Sequence, residues 1–286
     1  MIRLSAFADE ASPALIGQIE ALKRNGIGYI DIRSIEGKNV LDFTEDEAAA
    51  YNEQLKAAGI KVYSIGSPIG KVSINCDFSE YLKSAEHICK LAKIFETDRI
   101  RMFSFFEAYE SEAQVIDYLR SLVALADKYE VKLYHENEKK TFGDTAERTV
   151  KILDSVPGLL SIYDPANFVE VGEDMEKAMK LLHKRTAHFH IKDVIRETGE
   201  LVPAGEGDGM LRELVSQIDT KAPEMVLTVE PHLAIFAGYS AIDDTEMKNK
   251  FHFESNDEAF DAAVSAIKRV ICEAGYKENS IGGYEK

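Results

Sequence analysis

The chain has 286 residues, of which 45% are hydrophobic and 29% are charged, a composition typical of a soluble globular protein. Its formal net charge of −16 argues against a nucleic-acid backbone or an anionic membrane as the main partner, because both require a basic surface. No apolar run approaches the length of a membrane span, and the first residues lack the apolar core of a signal peptide. The three cysteines are widely spaced and form no disulfide framework, so we expect a cytoplasmic protein.

Segments with the pattern of a β-strand alternate with helical segments along the first half of the chain. The predicted strands are residues 3–7, 28–33, 61–66 and 99–105, and the predicted helices begin near residues 12, 44, 79 and 111. Thr44 with Glu47 forms a capping box at the start of the second helix. Ser111 with Gln114 predicts a similar cap for the fourth.

The same alternation continues in the second half. The predicted strands are residues 131–136, 160–164, 186–193 and 225–230, and the predicted helices cover 144–154, 175–183, a short segment after the glycine-rich loop 203–209, and a last helix from 255 to 275. The remaining residues, 276–286, carry no such pattern, and we expect them to form a frayed tail.

Eight strand and helix units without a linker predict one (β/α)₈ TIM-barrel domain over residues 1–286. Alternation of this kind implies a parallel sheet, and eight units at this length imply a closed barrel. The alternative is a doubly wound open sheet, in which a glycine-rich motif is expected after the first strand. The sequence AFADEAS at residues 6–12 contains no glycine, so we favour the barrel.

Each predicted strand of the second half stops at a side chain that can bind a metal ion. These side chains are Glu136, Asp164, His190 and Glu230. The carboxyl ends of parallel strands meet at one end of a barrel, where TIM-barrel enzymes carry their chemistry. Three carboxylates and one imidazole form a hard oxygen and nitrogen set, which suits one Mn²⁺, Mg²⁺, Co²⁺ or Zn²⁺ ion with positions left for substrate oxygens.

With this ordered set on strands five to eight, the chain resembles the xylose-isomerase-like TIM barrel superfamily, in the branch of sugar phosphate isomerases and ketose 3-epimerases, over essentially its whole length. The resemblance implies that the four residues bind the metal and that Glu136 and Glu230 are also the catalytic acid/base pair. It implies a substrate-binding role for Arg196, six positions after the histidine. Asn167 stands where the ketose epimerases have a histidine that contacts a substrate hydroxyl. Asparagine can still bond a hydroxyl but cannot titrate, so this departure concerns the substrate rather than the metal.

Other polar residues near the predicted strand ends have two readings each. Lys71 is either a solvated turn residue or a contact for a phosphate or sugar oxygen. His232 is either a loop residue or a substrate contact. Arg33 ends the second strand and is interpreted as either a site residue or a partner of Glu36, while Arg101 lies within a strand and is interpreted as a structural ion pair.

Two loops are candidates for covering the substrate. Loop 203–209 is rich in glycine but lacks the lysine and the spacing of a phosphate-binding P-loop. Loop 232–254 is long for a compact domain, and its aromatic residues Phe236, Tyr239 and Phe251 suit a lid.

The expected activity is isomerisation or epimerisation of a small keto-sugar or sugar phosphate. One glutamate removes the proton next to the carbonyl, a metal-stabilised enediolate forms, and the second glutamate returns the proton. Loss of a β-hydroxyl would instead make the enzyme a dehydratase of a keto-polyol such as a keto-inositol, and the residues do not choose between these outcomes. A DNA-repair endonuclease of the same superfamily would need more histidines and a basic groove, and a non-catalytic sugar-binding barrel would need a defective ligand set. We expect no nucleic-acid or membrane partner, and a homo-oligomer is compatible with the resemblance.

Overall fold

Parallel strands form the wall of a barrel, as the alternation of strands and helices predicts. The computed structural model describes residues 1–218, 224–236, 248, 251–280 and 282–286. The wall strands are β1 (Ile2–Ala6), β2 (Tyr29–Ile32), β3 (Lys61–Ile65), β4 (Arg99–Met102), β5 (Lys132–Glu136), β6 (Leu160–Tyr163), β7 (Thr186–Ile191) and β8 (Met225–Val229). They are hydrogen-bonded in the order β1-β8-β7-β6-β5-β4-β3-β2, and β2 lies against β1 to complete the circle. The prediction of a single (β/α)₈ TIM barrel is confirmed.

Helices follow the strands along the chain. In the described residues they are α1 (Leu15–Arg24), α2 (Glu45–Ala57), α3 (Phe78–Ile94), α4 (Glu112–Lys128), α5 (Ala146–Ser155), α6 (Pro165–Glu170), α7 (Met175–Leu182), α8 (Leu211–Ser216) and α9 (Asn256–Glu273). The capping box of Thr44 and Glu47 is present at the start of α2. Ser111 precedes α4 without a side-chain capping bond, and the side chain of Gln114 donates to the carbonyl of Ile74 at 3.1 Å. None of the helices in the described ranges is long and apolar enough to cross a membrane.

A polar network crosses the interior of the barrel. The carboxylate of Asp31 on β2 accepts hydrogen bonds from Ser5, Ser64 and Thr228, which lie on β1, β3 and β8. Because Thr228 donates its proton to Asp31, its oxygen accepts from His188 Nε2 on β7 at 2.6 Å. The network therefore joins five strands through side-chain hydrogen bonds. Such bonds are directional, and a purely apolar core would not provide them.

The end of the chain is ordered where the structure describes it, which corrects the expectation of a frayed tail. Lys277–Glu278 and Gly283–Glu285 form a short antiparallel pair, and the second strand also pairs with β1. Tyr284 is 2% exposed and belongs to the hydrophobic core. A three-residue strand has no readable periodicity of its own, so only its partner on β1 determines that it forms.

Candidate metal centre

Four side chains from the carboxyl ends of β5 to β8 meet at one end of the barrel. Glu136 is the last residue of β5, His190 lies in β7, and Glu230 follows β8 directly. Asp164 follows β6 and caps α6, since its carboxylate accepts a hydrogen bond from the amide of Asn167 at 3.0 Å. Each of the four is at most 2% exposed, and one ligand atom from each lies within 4.8 Å of the others. We refer to these four residues as the four-residue cluster.

The donor atoms of this cluster fit a divalent cation. His190 Nδ1 lies 2.9 Å from Glu136 Oε1 and 2.9 Å from Glu230 Oε2. Ligands that stand at right angles, each about 2.1 Å from a metal ion, are themselves about 3.0 Å apart. Glu136 Oε2, Asp164 Oδ2, His190 Nε2 and Glu230 Oε2 are buried and make no aligned hydrogen bond within the described part of the chain. Buried carboxylate oxygens and an imidazole nitrogen, with one ligand atom of each residue within 4.8 Å of the others, match the preferences of Mn²⁺, Co²⁺, Zn²⁺ or Mg²⁺.

Three buried cations contact the cluster: Arg33, which is described below, Arg101 and Lys192. Arg101 Nη1 lies 3.3 Å from Glu136 Oε2 and 3.7 Å from Glu230 Oε1. Lys192 Nζ lies 3.0 Å from Asp164 Oδ2. These contacts offset part of the negative charge that burial of three carboxylates would otherwise leave uncompensated.

The local electrostatics keep both glutamates ionised. Burial acts to raise the pKa of Glu136 and of Glu230, but His190, together with Arg101 at Glu136 and with His232 and Lys192 at Glu230, holds both pKa values below their ordinary range. Burial acts to lower the pKa of His190, and the two carboxylates outweigh it and raise that pKa to about 10. The two glutamates are therefore in the form that accepts a proton.

Asn167, at the position that departs from the ketose epimerases, is fixed by hydrogen bonds. Its Oδ1 accepts from Lys192 Nζ at 2.8 Å, and its Nδ2 donates to the carbonyl of Asn137 at 2.9 Å. Asn137 in turn bonds the backbone of Asp164 through both atoms of its amide, each at 2.9 Å. The amide of Asn167 thus holds the Lys192 ammonium beside Asp164, and it remains a candidate substrate contact.

Two other predicted substrate contacts bind protein groups outside the cluster. Lys71 pairs with Glu138 at 2.7 Å and is largely buried, so it is not the fully solvated turn lysine of the alternative reading. Arg196 is exposed, and its guanidinium donates to the carbonyl of Glu173 at 2.8 Å while its amide donates to Asp208. Both residues therefore remain proposals for substrate binding.

His232 and Arg33 lie against Glu230. His232 Nε2 is 3.4 Å from Glu10 Oε1 and 3.6 Å from Glu230 Oε1. Arg33 donates to Glu230 Oε1 at 2.9 Å, to Glu10 Oε1 at 3.2 Å and to both oxygens of Asp9 at 2.9 and 3.0 Å. His232 is thus a buried neighbour of the cluster rather than a solvated loop residue.

The glycine-rich loop 203–209 wraps around a carboxylate of its own chain. Asp193 accepts hydrogen bonds from the amides of Gly205, Gly207 and Gly209 at 2.8, 3.0 and 2.9 Å. A Cβ atom at Gly207 would lie 2.4 Å from Asp193 Oδ1, so only glycine fits there. These bonds give the loop a structural role, and its interpretation as a substrate cover stays a prediction.

The candidate lid is described only in part. Phe236 packs its ring 4.8 Å from the guanidinium of Arg33, and Phe251 stacks on Phe253. Tyr239 lies outside the described residues.

Sequence reasoning did not connect three buried cations with the cluster. Arg33 pairs with Glu230 and not with Glu36, and the ion pair predicted for Arg101 is present but joins it to Glu136 and Glu230. Lys192 contacts Asp164. One signal was available for two of them: Arg33 follows β2 at its carboxyl end, and Lys192 shares the strand face of His190.

Comparisons with known proteins agree with this fold. Over 130 residues the chain is 23% identical to a 3-dehydroshikimate dehydratase of Bacillus anthracis, a match that covers 43% of this chain and 46% of that protein, less than half of its length. The structure of an IOLI protein with a binding zinc atom superposes with a TM-score of 0.72 at 17% identity, covering 95% of this chain and 99% of that one. A D-allulose 3-epimerase from Methylomonas sp. superposes with a TM-score of 0.71 at 14% identity, covering 94% and 98%.

Most of the sequence also matches one protein family. Residues 19–270 match the family described as xylose isomerase-like TIM barrel, and this range takes in all four residues of the cluster. The chain therefore belongs to the xylose isomerase-like TIM barrel family.

Proposed function

We propose that this protein is an enzyme that binds one divalent metal ion through Glu136, Asp164, His190 and Glu230 and moves a proton on the carbon next to the carbonyl group of a small keto-sugar or sugar phosphate. The proposed reaction is an isomerisation or an epimerisation. The observation that carries the proposal is the convergence of four buried donor groups from four successive strands, with one ligand atom of each within 4.8 Å of the others.

Within this proposal, Glu136 and Glu230 are the acid/base pair. Each has a carboxylate oxygen 2.9 Å from His190 Nδ1, and both are held ionised. One carboxylate takes the proton from carbon, and the other returns a proton to the opposite face or to the neighbouring carbon. A bound divalent ion would polarise the substrate carbonyl as a Lewis acid. Arg33 fixes Glu230 Oε1 at 2.9 Å, so the proton-accepting carboxylate cannot rotate freely.

Dehydration is the second candidate function, and two observations favour it. The curated relative whose sequence is similar over 130 residues is a dehydratase. Lys192 places a buried ammonium 3.0 Å from Asp164, where it could give a proton to a hydroxyl that leaves as water. In that reaction a glutamate takes the proton from carbon, a carbon–carbon double bond forms, and the carbon–oxygen bond breaks.

Product analysis in heavy water separates the two reactions. Mn²⁺-loaded protein is incubated with unphosphorylated and phosphorylated keto-sugars and keto-polyols in D₂O, and the products are analysed by mass spectrometry and NMR. An isomerase or epimerase adds deuterium next to the carbonyl without loss of water, whereas a dehydratase gives a product lighter by one water.

Substitution of the acid/base pair tests the assignment. Glu136→Gln and Glu230→Gln are each expected to lower kcat by about 10²–10⁴-fold, the usual contribution of a positioned acid or base. Glu170→Gln is the matched control, because Glu170 forms an ion pair with Lys139 outside the cluster. A folded Glu230→Gln variant with full activity would refute the acid/base role.

A further inference from the structure

The two carboxylate oxygens of Glu230 face two different groups of side chains. Oε2 lies 2.9 Å from His190 Nδ1, in the four-residue cluster. Oε1 lies 3.6 Å from His232 Nε2, which is itself 3.4 Å from Glu10 Oε1. Glu10, Glu230 and His232 are at most 5% exposed, and one ligand atom of each lies within 4.8 Å of the others. Donor type and spacing alone would suit a second divalent ion here, with Glu230 bridging the two.

The guanidinium of Arg33 already lies between these carboxylates. Its Nη1 donates to Glu230 Oε1 at 2.9 Å, and its Nη2 donates to Glu10 Oε1 at 3.2 Å. The aromatic rings of Phe7 and Phe236 lie 4.6 and 4.8 Å from its central carbon. The side chain is 2% exposed, so the surrounding groups fix its position.

A further carboxylate holds Arg33 in this orientation. Asp9 accepts from Nε and Nη2 of Arg33 in a bidentate pair, and Ser34 Oγ donates to Asp9 at 2.8 Å. Because the guanidinium is planar, its bidentate pair with Asp9 fixes the orientation of the whole group. Its remaining N–H groups then point toward Glu10 and Glu230.

We propose that Arg33 is a built-in cation that occupies the position of a second divalent ion between Glu10 and Glu230 and thereby restricts the active site to one metal ion. The inference rests on the proposed function, because it assumes a metal ion in the four-residue cluster. Arg33 is then a positioning residue: it binds one oxygen of Glu230 and leaves the other for the cluster. Its removal would leave Asp9, Glu10 and Glu230 buried without their shared cation, and such a site attracts a divalent ion.

Metal stoichiometry tests this directly. Protein stripped with a chelator is reloaded with excess Mn²⁺, desalted, and measured for manganese per chain by elemental analysis, with a calorimetric titration in parallel. We expect one ion per chain for the wild type, two for Arg33→Ala, and one again for Arg33→Ala combined with Glu10→Gln. Arg101→Ala is the matched control, because Arg101 is also buried, also packs on Phe7 and lies 3.7 Å from Glu230 Oε1, and it should stay at one.

The outcomes separate this inference from the proposed function. One ion in both the wild type and Arg33→Ala overturns the inference and leaves the proposed function in place, and two ions in the wild type overturn it equally. No bound ion in the folded wild type refutes the metal centre and, with it, both proposals. Circular dichroism checks the fold of each variant. If Arg33→Ala does not fold, Arg33→Gln purified in the presence of Mn²⁺ provides the same measurement, and one ion in that variant also overturns the inference.

Discussion

Replacing Lys192 with methionine should destabilise the protein strongly without metal and only weakly with it. Lys192 Nζ lies 3.0 Å from Asp164 Oδ2, and the two residues are 7% and 0% exposed, respectively. Removing one partner of a buried ion pair costs about 3–5 kcal/mol when the other charge stays buried without compensation; burial raises the pKa of Asp164 to about 7, so this cost applies well above that pH. For a domain of this size, that corresponds to a fall in melting temperature of at least about 6 °C.

A bound divalent ion should reduce this cost. Asp164 Oδ2 is the proposed ligand atom, so the ion would neutralise the same carboxylate that Lys192 compensates. We therefore expect the stability difference between wild type and Lys192→Met to fall by more than half when Mn²⁺ is added. Thermodynamic linkage requires the variant to bind Mn²⁺ more tightly by the same free energy, which provides a second, independent measurement.

The assay is thermal and denaturant unfolding of both proteins, with EDTA and with saturating Mn²⁺, followed by calorimetric titration. Lys139→Met is the control, because Lys139 pairs with Glu170 at 3.3 Å in a partly exposed setting, where a pair contributes about 0–1 kcal/mol. Equal destabilisation of Lys192→Met with and without metal would show that Asp164 is not a ligand.

Three further predictions concern stability and are measured by the same unfolding experiments. Tyr284→Ala should lower the free energy of unfolding by about 3–5 kcal/mol, because a large buried side chain is lost. Tyr284→Phe should be neutral or slightly stabilising, since the buried hydroxyl has no hydrogen-bond partner in the described structure. Equal effects of the two substitutions would contradict the packing of the tail. Thr44→Ala should cost about 1 kcal/mol through loss of the α2 cap, and Ser111→Ala should cost almost nothing because Ser111 makes no capping bond. Asp193→Ala should cost about 3 kcal/mol or more, because the glycine amides of loop 203–209 lose their acceptor, and unchanged stability would refute that role.

The sequence was sufficient for the barrel and for the convergence of four side chains, for one physical reason. Glu136, Asp164, His190 and Glu230 come at the ends of successive strands, and parallel strands in a barrel bring their carboxyl ends together whatever the loops between them do. A local pattern therefore predicts a non-local contact. The α2 cap is predictable for a simpler reason, because its partners are three residues apart.

The sequence was insufficient where the partner of a group is set only by the closed barrel. Arg33 and Glu230 are 197 positions apart, so no spacing rule connects them, and the nearer Glu36 was one of the two readings of Arg33. The Glu36 carboxylate instead accepts from the amide of Leu15 at 3.0 Å. The prediction of a frayed tail was wrong for the same reason, because Gly283–Glu285 forms a strand only through its pairing with β1.

Charge balance connects the cluster with the cations that sequence reasoning missed. The buried carboxylates around Glu230 are Asp9, Glu10, Glu136, Asp164 and Glu230, and the buried lysine and arginine side chains that contact them are Arg33, Arg101 and Lys192. Counted with all five carboxylates ionised and with His190 neutral, as metal binding requires, five acidic groups against three basic ones leave two negative charges, which one divalent ion would cancel. A second divalent ion would leave two uncompensated positive charges in a buried space, which is costly unless a group leaves. Geometry distinguishes the two arginines, since each carries one charge: loss of Arg33 would leave Glu10 and Glu230 facing each other without a cation between them, whereas loss of Arg101 exposes no comparable second set of oxygens among the contacts described.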